Sequence, residues 1–263
     1  MQFFDDLKGK RAVITGASGV IGEWIVATLE EAGCHLCLTD MDQAGLDRLA
    51  ASHALGAEGF THTADLTQES SIVALVDAVG ARWGAPDILV NNAGIYPSGF
   101  LLDISTADFD RIFSINLRAP FITTQRFATQ MVRRSLPGSI INISSGASRK
   151  MRSTVVPYCT SKTALDRLTK GFAIELAEYG IRVNTLEPGF AAGSTVSDLT
   201  QDHIANTVAA IPLGRPSSRQ DVGNALLYLA SDASDYVTGS TLTVDGGNSI
   251  GSLAVHQAKK KAL

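Results

Sequence analysis

The chain has 263 residues, 45% of them hydrophobic, and a formal net charge of −4. That length fits one large α/β domain or two small ones, with enough chain to bury a core without staples, and that composition excludes a disordered chain. The charge carries no polyanion-binding signature, which argues against a nucleic-acid partner.

The N-terminal stretch "MQFFDDLKGKRAVITG" lacks the basic region and apolar run of a signal peptide, and no stretch reaches the ~18 apolar residues of a membrane span. A cytoplasmic chain with no membrane partner is expected. "RAVIT" (Arg11 to Thr15) reads as a first strand, followed by a helix through Leu29. "HLCLT" is a second strand, then a helix near Asp42 to His53. Cys34 and Cys37 in this strand have the spacing of a redox or zinc half-site. Positions i and i+3 of a strand point to opposite faces, so the pair reads as buried packing. With Cys159 the cysteine count is odd, which argues against a disulfide framework. The histidines are scattered singly, and no metal site is expected.

"GFTHTAD" is a third strand with a helix near Gln68 to Trp83, and "PDILVNNAG" is a fourth. Two long helices, near Thr106 to Arg134 and Val155 to Tyr179, flank the strand "GSIINISS". "IRVNTLEPG" is a sixth strand; a polar segment, a helix near Asp221 to Ala230 and a seventh strand, "STLTVDGG", complete the pattern. Alternation of apolar strands with helices implies a parallel sheet covered on both faces. Right-handed crossovers make it doubly wound, a Rossmann-type α/β fold. No linker interrupts the alternation, so residues 1–263 are expected to form one domain, with a substrate lid at 190–211 and a C-terminal tail at 248–263. The tail holds the only basic cluster, Lys259 to Lys261, read as solvated.

"VITGASGVIGEW" links the first strand to the first helix. Gly16, Gly19 and Gly22 permit unusual backbone angles and close approach of a pyrophosphate, which the helix N-terminus then faces. Ser18, Val20 and Ile21 share the turn. A glycine turn alone is a weak signal; its place between strand and helix strengthens it. Asp40 ends the second strand, where an acid can accept both ribose hydroxyls of an adenosine and repel a 2′-phosphate. The cofactor expected is therefore NAD rather than NADP. The bland alternative has Asp40 capping the next helix, a task open to Asp42 as well.

Together these motifs resemble the short-chain dehydrogenase/reductase family, in its short single-domain branch, over roughly Lys8 to Gly247. "TGASGVIG" is similar to the family's cofactor turn, and Asp65 with Leu66 to the pair beside the adenine ring. "NNAG" (Asn91, Asn92, Ala93, Gly94) is similar to the fourth-strand motif, and "EPG", with Pro188, Gly189 and then Ala191, to the turn beside the nicotinamide. Asn116, Ser145, Tyr158 and Lys162 match the family's catalytic set, with Ser145 thirteen residues before Tyr158. Two positions depart from the pattern. Val20 stands where the short branch usually has glycine, and Gly193 where a threonine often bonds the nicotinamide amide, with Ser194 or Thr195 as alternatives.

The resemblance implies hydride transfer between a secondary alcohol and nicotinamide. Tyr158 would be the acid/base, its phenol brought below a free tyrosine's pKa of ~10 by Lys162 one helical turn away together with the charge of oxidised nicotinamide. Ser145 would donate to the substrate oxygen, Lys162 would also hold the nicotinamide ribose, and Asn116 would hold a water. Tyr96, Val155 and Phe190, with Ser145 and Tyr158, are expected to line the substrate pocket. Arg149, Lys150 and Arg152 offer cations for a carboxylate or phosphate, against the plainer reading of a solvated loop. An alcohol, polyol, sugar or hydroxy acid is the expected substrate. A 3-oxoacyl-thioester reductase is the alternative enzyme, and a catalytically silent nucleotide sensor the alternative of another class. A homotetramer, or a dimer, is the assembly the resemblance implies.

Overall fold

The computed structural model describes residues 4–192, 200–251 and 253. Seven parallel strands form one sheet in the order β3-β2-β1-β4-β5-β6-β7. They are β1 Arg11–Thr15, β2 His35–Asp40, β3 Phe60–Thr63, β4 Ile88–Asn91, β5 Gly138–Ile143, β6 Ile181–Pro188 and β7 Thr241–Val244. Every central strand is a short run of apolar residues buried on both faces, as covered parallel strands must be.

The helices are α1 Val20–Glu31, α2 Gln43–Ser52, α3 Glu69–Trp83, α4 Thr106–Phe113, α5 Ala119–Arg133, α6 Val156–Leu176, α7 Gln201–Ala209 and α8 Arg219–Ala230. Their starts follow capping chemistry. Ser105, Thr200 and Ser218 each accept the backbone N–H three residues on. Ser218 and Asp221 close a reciprocal capping box.

Strand alternation divides the core into two layers. Ile14 joins Ile25, Leu29, Leu46 and Leu226 under α1, α2 and α8. Val13 joins Leu75, Val79, Phe127 and Ile140 under α3 and α5. Cys34 and Cys37 fall in opposite layers, and both are free thiols. Burial raises the Cys34 thiol to about 12 and pushes the Cys37 thiol up as well, so neither is a ready nucleophile or metal ligand.

Two elements differ from expectation. The helix expected over Thr106 to Arg134 is broken by a wide, π-helical turn at Ser114–Arg118. The segment read only as polar carries α7. No helix is long and apolar enough to cross a membrane, and no group of metal-ligating side chains occurs, among the described residues. Gly193, Ser194, Thr195, residues 254–263 and the lysine cluster in them lie outside those residues.

Strand order reverses between β1 and β4, so the loops at their carboxyl ends diverge and open a crevice.

Candidate active site

The glycine turn sits at one end of the crevice. Gly16 has φ +63°, and a Cβ there would lie 2.7 Å from Ala93 Cα; the position needs glycine on both counts. Thr15 Oγ1 accepts the N–H groups of Asn92 (3.0 Å) and Ala93 (3.1 Å). Asn92 donates its amide to the carbonyls of Thr15 and Gly16. Asn92 and Ala93 thus build the turn's floor, a coupling of β1 to β4 that sequence reading missed.

Asp40 is tied into the same turn. Its Oδ2 accepts the Ser18 N–H (3.1 Å) and hydroxyl (2.7 Å), and its Oδ1 accepts the Asp42 N–H (3.1 Å). Asp42 is the N-cap of α2 but makes no side-chain cap bond. Asp40 therefore shapes the loop between the glycine turn and α2; Oδ2 already accepts two bonds, and Oδ1 keeps acceptor capacity. Asp65 Oδ1 accepts the Thr67 N–H and hydroxyl, closing a tight turn beside buried Leu66.

The turn fits a pyrophosphate. Gly19 caps α1 without a side-chain bond, which leaves the first-turn N–H groups facing outward. A Cβ on Gly19 would meet only the Gly16 carbonyl, at 3.7 Å, so the approach is open. Val20 is the first helical residue of α1, an ordinary backbone conformation for a β-branched side chain. Ile21 follows it in that first turn.

At the other end of the crevice, α6 carries Tyr158 and Lys162 one turn apart. Lys162 is buried, and its ammonium donates to the Ile143 carbonyl (2.7 Å), leaving two N–H donors for ribose hydroxyls. Burial lowers it to about 8, against a rise from the Asp166 charge. A Cβ on Gly94 would lie 3.4 Å from Asn116 Oδ1 and 3.5 Å from Lys162 Nζ, so glycine keeps the space between them clear.

Asn116 sits in the π-helical turn, fully buried. Its Oδ1 accepts the Ile95 N–H, and its amide donates to the Ile95 carbonyl and to Ser161 Oγ. The wide turn lets a helix side chain reach back to the loop after β4. The amide is fully used there, and a second lone pair on Oδ1 is what remains for a water.

Ser145 follows β5, and its hydroxyl accepts the Ala147 N–H (3.2 Å). Ser145 also eases the ionisation of the Tyr158 phenol. The Tyr96 ring lies 5.7 Å from the Tyr158 ring, and Lys162 Nζ 5.9 Å from its centroid. Burial raises the Tyr158 pKa above the ordinary tyrosine value; Ser145 and the Arg152 charge oppose the rise without reversing it. A phenolate in this pocket loses its water, and Lys162 alone does not compensate.

Val155 is the N-cap of α6, and the Phe190 carbonyl accepts the Ser217 N–H. Pro188 ends β6, and Ala191 lies two residues beyond Gly189. A Cβ on Gly189 would lie 2.7 Å from Asp245 Cα, so the residue is glycine for packing against the turn after β7. Arg149 is held by Glu187 (2.7 Å), Thr243 and Ser249, which removes it from the pocket's cations. Arg152 is exposed, with no ion pair among the described residues, and its charge reaches the phenol.

A family model described as enoyl-(acyl carrier protein) reductase matches residues 16–249. A 2-dehydro-3-deoxy-D-gluconate 5-dehydrogenase of Dickeya dadantii (strain 3937) is 35% identical over 92% of this chain and 96% of its own. An L-xylulose reductase of Mesocricetus auratus is 38% identical over 92% and 97%. Among solved structures, a gluconate 5-dehydrogenase from Burkholderia cenocepacia J2315, in complex with NADP and tartrate, superposes with a TM-score of 0.85. It is 32% identical, covering 94% of this chain and 99% of its own.

Proposed function

The chain belongs to the short-chain dehydrogenase/reductase family, and from that premise we propose that it oxidises a secondary alcohol of a sugar acid or polyol with NAD. The fold and the relatives make it an oxidoreductase working with a nicotinamide cofactor and a small alcohol or sugar. The finer reading is carried by one observation: the ammonium of buried Lys162, held by the Ile143 carbonyl, lies 5.9 Å from the Tyr158 ring, so a phenol that can exchange a substrate proton stands beside a cation.

Oxidised nicotinamide supplies the hydride acceptor and a positive charge. Ser145 holds the substrate oxygen by a hydrogen bond that strengthens as charge develops there. Tyr158 takes the hydroxyl proton, and returns it in the reverse direction. Lys162 keeps a positive charge under the phenol and offers its free N–H donors to the ribose. Asn116 holds the Ile95 loop against α6 and offers Oδ1 to a water chain. Gly16, Ser18, Gly19, Val20, Ile21 and Gly22 carry the pyrophosphate, with Asp65, Leu66, Asn92, Ala93, Gly94, Pro188, Gly189 and Ala191 along the rest of the cofactor. Asp40 accepts the adenosine ribose hydroxyls and disfavours a 2′-phosphate.

Arg152 favours an acid substrate. It is the loop cation whose charge bears on Tyr158, while Arg149 is engaged with Glu187. A carboxylate a few carbons from the reacting alcohol would pair with it. Tyr96, Val155 and Phe190 line the remaining wall. Residues 1–263 act as one catalytic unit. Exposed Phe121, its ring 5.8 Å from Phe172, and exposed Ile174 give α5 and α6 apolar outer faces suited to subunit contact, and a homotetramer is the assembly proposed.

The test follows nicotinamide absorbance against sugar acids, polyols, hydroxy acids, simple alcohols and 3-oxoacyl thioesters, each with NAD and with NADP. Turnover of a sugar acid with NAD, with Arg152→Ala raising its KM at least tenfold and sparing polyols, supports the reading. Asp40→Ala is expected to erase the NAD preference. A wild-type preference for NADP with oxoacyl thioesters would overturn it in favour of a biosynthetic reductase.

A further inference from the structure

The row of functional side chains on α6 does not end at Lys162. Tyr158, Lys162 and Asp166 are spaced at i, i+4 and i+8, so phenol, ammonium and carboxyl follow one another along a single face. Asp166 belongs to no element of the mechanism described above, yet its Oδ1 is buried and has no hydrogen-bond partner among the described residues. Ser144 Oγ, next to Ser145, is also buried and unpartnered.

The surroundings say which charge Asp166 serves. The buried carboxylate of Glu187 on β6 faces it, but Glu187 is already satisfied by Arg149 (2.7 Å), Ser148 Oγ (2.6 Å) and Thr243 Oγ1 (2.7 Å). Arg149 also bears on Asp245 beyond β7. Asp166 therefore stands against a carboxylate that has its own cation, and the cation left to Asp166 is Lys162. Ser144 and Ser148 come near enough to ease its ionisation, though neither bonds Oδ1.

We propose that Asp166 is a positioning residue that keeps the buried Lys162 ammonium charged, and through it governs the phenol of Tyr158. The inference rests on the reading of Lys162 as Tyr158's partner. Charge in a buried site must be paired or lost; Ile143 offers Lys162 a carbonyl dipole but no countercharge. The interaction is mutual, since Lys162 eases the ionisation of Asp166 as Asp166 sustains the charge of Lys162.

The direct test is a 15N NMR titration of the Lys162 side chain in the full chain, assigned by its disappearance in Lys162→Met. A wild-type midpoint of about 8 is expected. Asp166→Asn should lower it by about one pH unit, the scale of a unit charge removed at one-turn distance, and Asp166→Glu should restore most of the shift. The alkaline limb of kcat/KM should move down by the same amount in Asp166→Asn, which a merely loosened fold would not cause. Should that variant not fold, Asp166→Ser reads the same midpoint. An unmoved midpoint in a folded neutral variant overturns the proposal, and so does failure of both neutral variants to fold. If Lys162→Met keeps wild-type turnover, the parent reading fails instead.

Discussion

The two ends of the crevice are built on opposite principles. At the β1–β2 end the side chains satisfy one another: Asp40 with Ser18, Thr15 with Asn92 and Ala93, Asp65 with Thr67. What that end offers a ligand is backbone, the N–H groups of a helix start and the open space over Gly19. At the β5–α6 end the side chains themselves are the instrument. Tyr158 is pushed up, Lys162 is pushed down to about 8, and Asp166 is pushed up, each first of all by burial. A binding surface made of backbone needs rigid geometry; a proton-transfer site needs charges that burial makes costly and therefore responsive.

The largest effect that sharpens this contrast is expected from Tyr158→Phe. It should lower kcat by about 10²–10⁴-fold, the span of general acid–base catalysis, while Tm is unchanged and the Kd for NAD stays within about twofold. Loss of NAD binding in that variant would break the division between the ends. Next comes Gly16→Ala. A Cβ 2.7 Å from Ala93 Cα, at φ +63°, forces the β1 and β4 loops apart. A stability loss of roughly 1–3 kcal/mol should accompany a tenfold or greater rise in the Kd for NAD, read by thermal melting and ligand titration. A residual kcat at saturating NAD close to wild type would place the damage at the backbone end alone. Smallest is Ser218→Ala, which removes the α8 capping box behind that same end. It should cost about 1 kcal/mol and leave kcat and KM unchanged.

How well each end is legible in the sequence follows from the same contrast. Gly16, Gly19 and Gly22 between an apolar strand and a helix specify a phosphate turn locally, and the structure builds that turn at Gly16–Val20. The central strands β1, β4 and β5 were readable because each is a short apolar run, and even the failure of Cys34 and Cys37 to converge follows from strand alternation. The wide turn at Asn116 was not readable. "SINLR" carries no breaker, and the turn forms because Asn116 bonds Ile95 and Ser161, residues remote in sequence. The burial of Tyr158 and Lys162 was not readable for a related reason: spacing reveals that Lys162 is near, but not how much water both groups lose. Arg149 and Arg152 are three residues apart in one loop, and only tertiary contacts with Glu187 and Ser249 distinguish the anchored cation from the exposed one. The α7 helix was passed over because its polar sequence buries little; no residue of it is fully buried.

The measurement that tests the account most directly is a 13C NMR titration of the Tyr158 phenol. The chain has five tyrosines, and Tyr158→Phe assigns the signal. Burial should hold the phenol protonated past the ordinary tyrosine value when the protein is titrated alone, and saturating NAD should bring the midpoint down by more than one pH unit as positive charge accumulates around it. A midpoint below the ordinary value in the protein alone, or one that NAD leaves in place, would contradict a site whose charges are set by burial and released by binding.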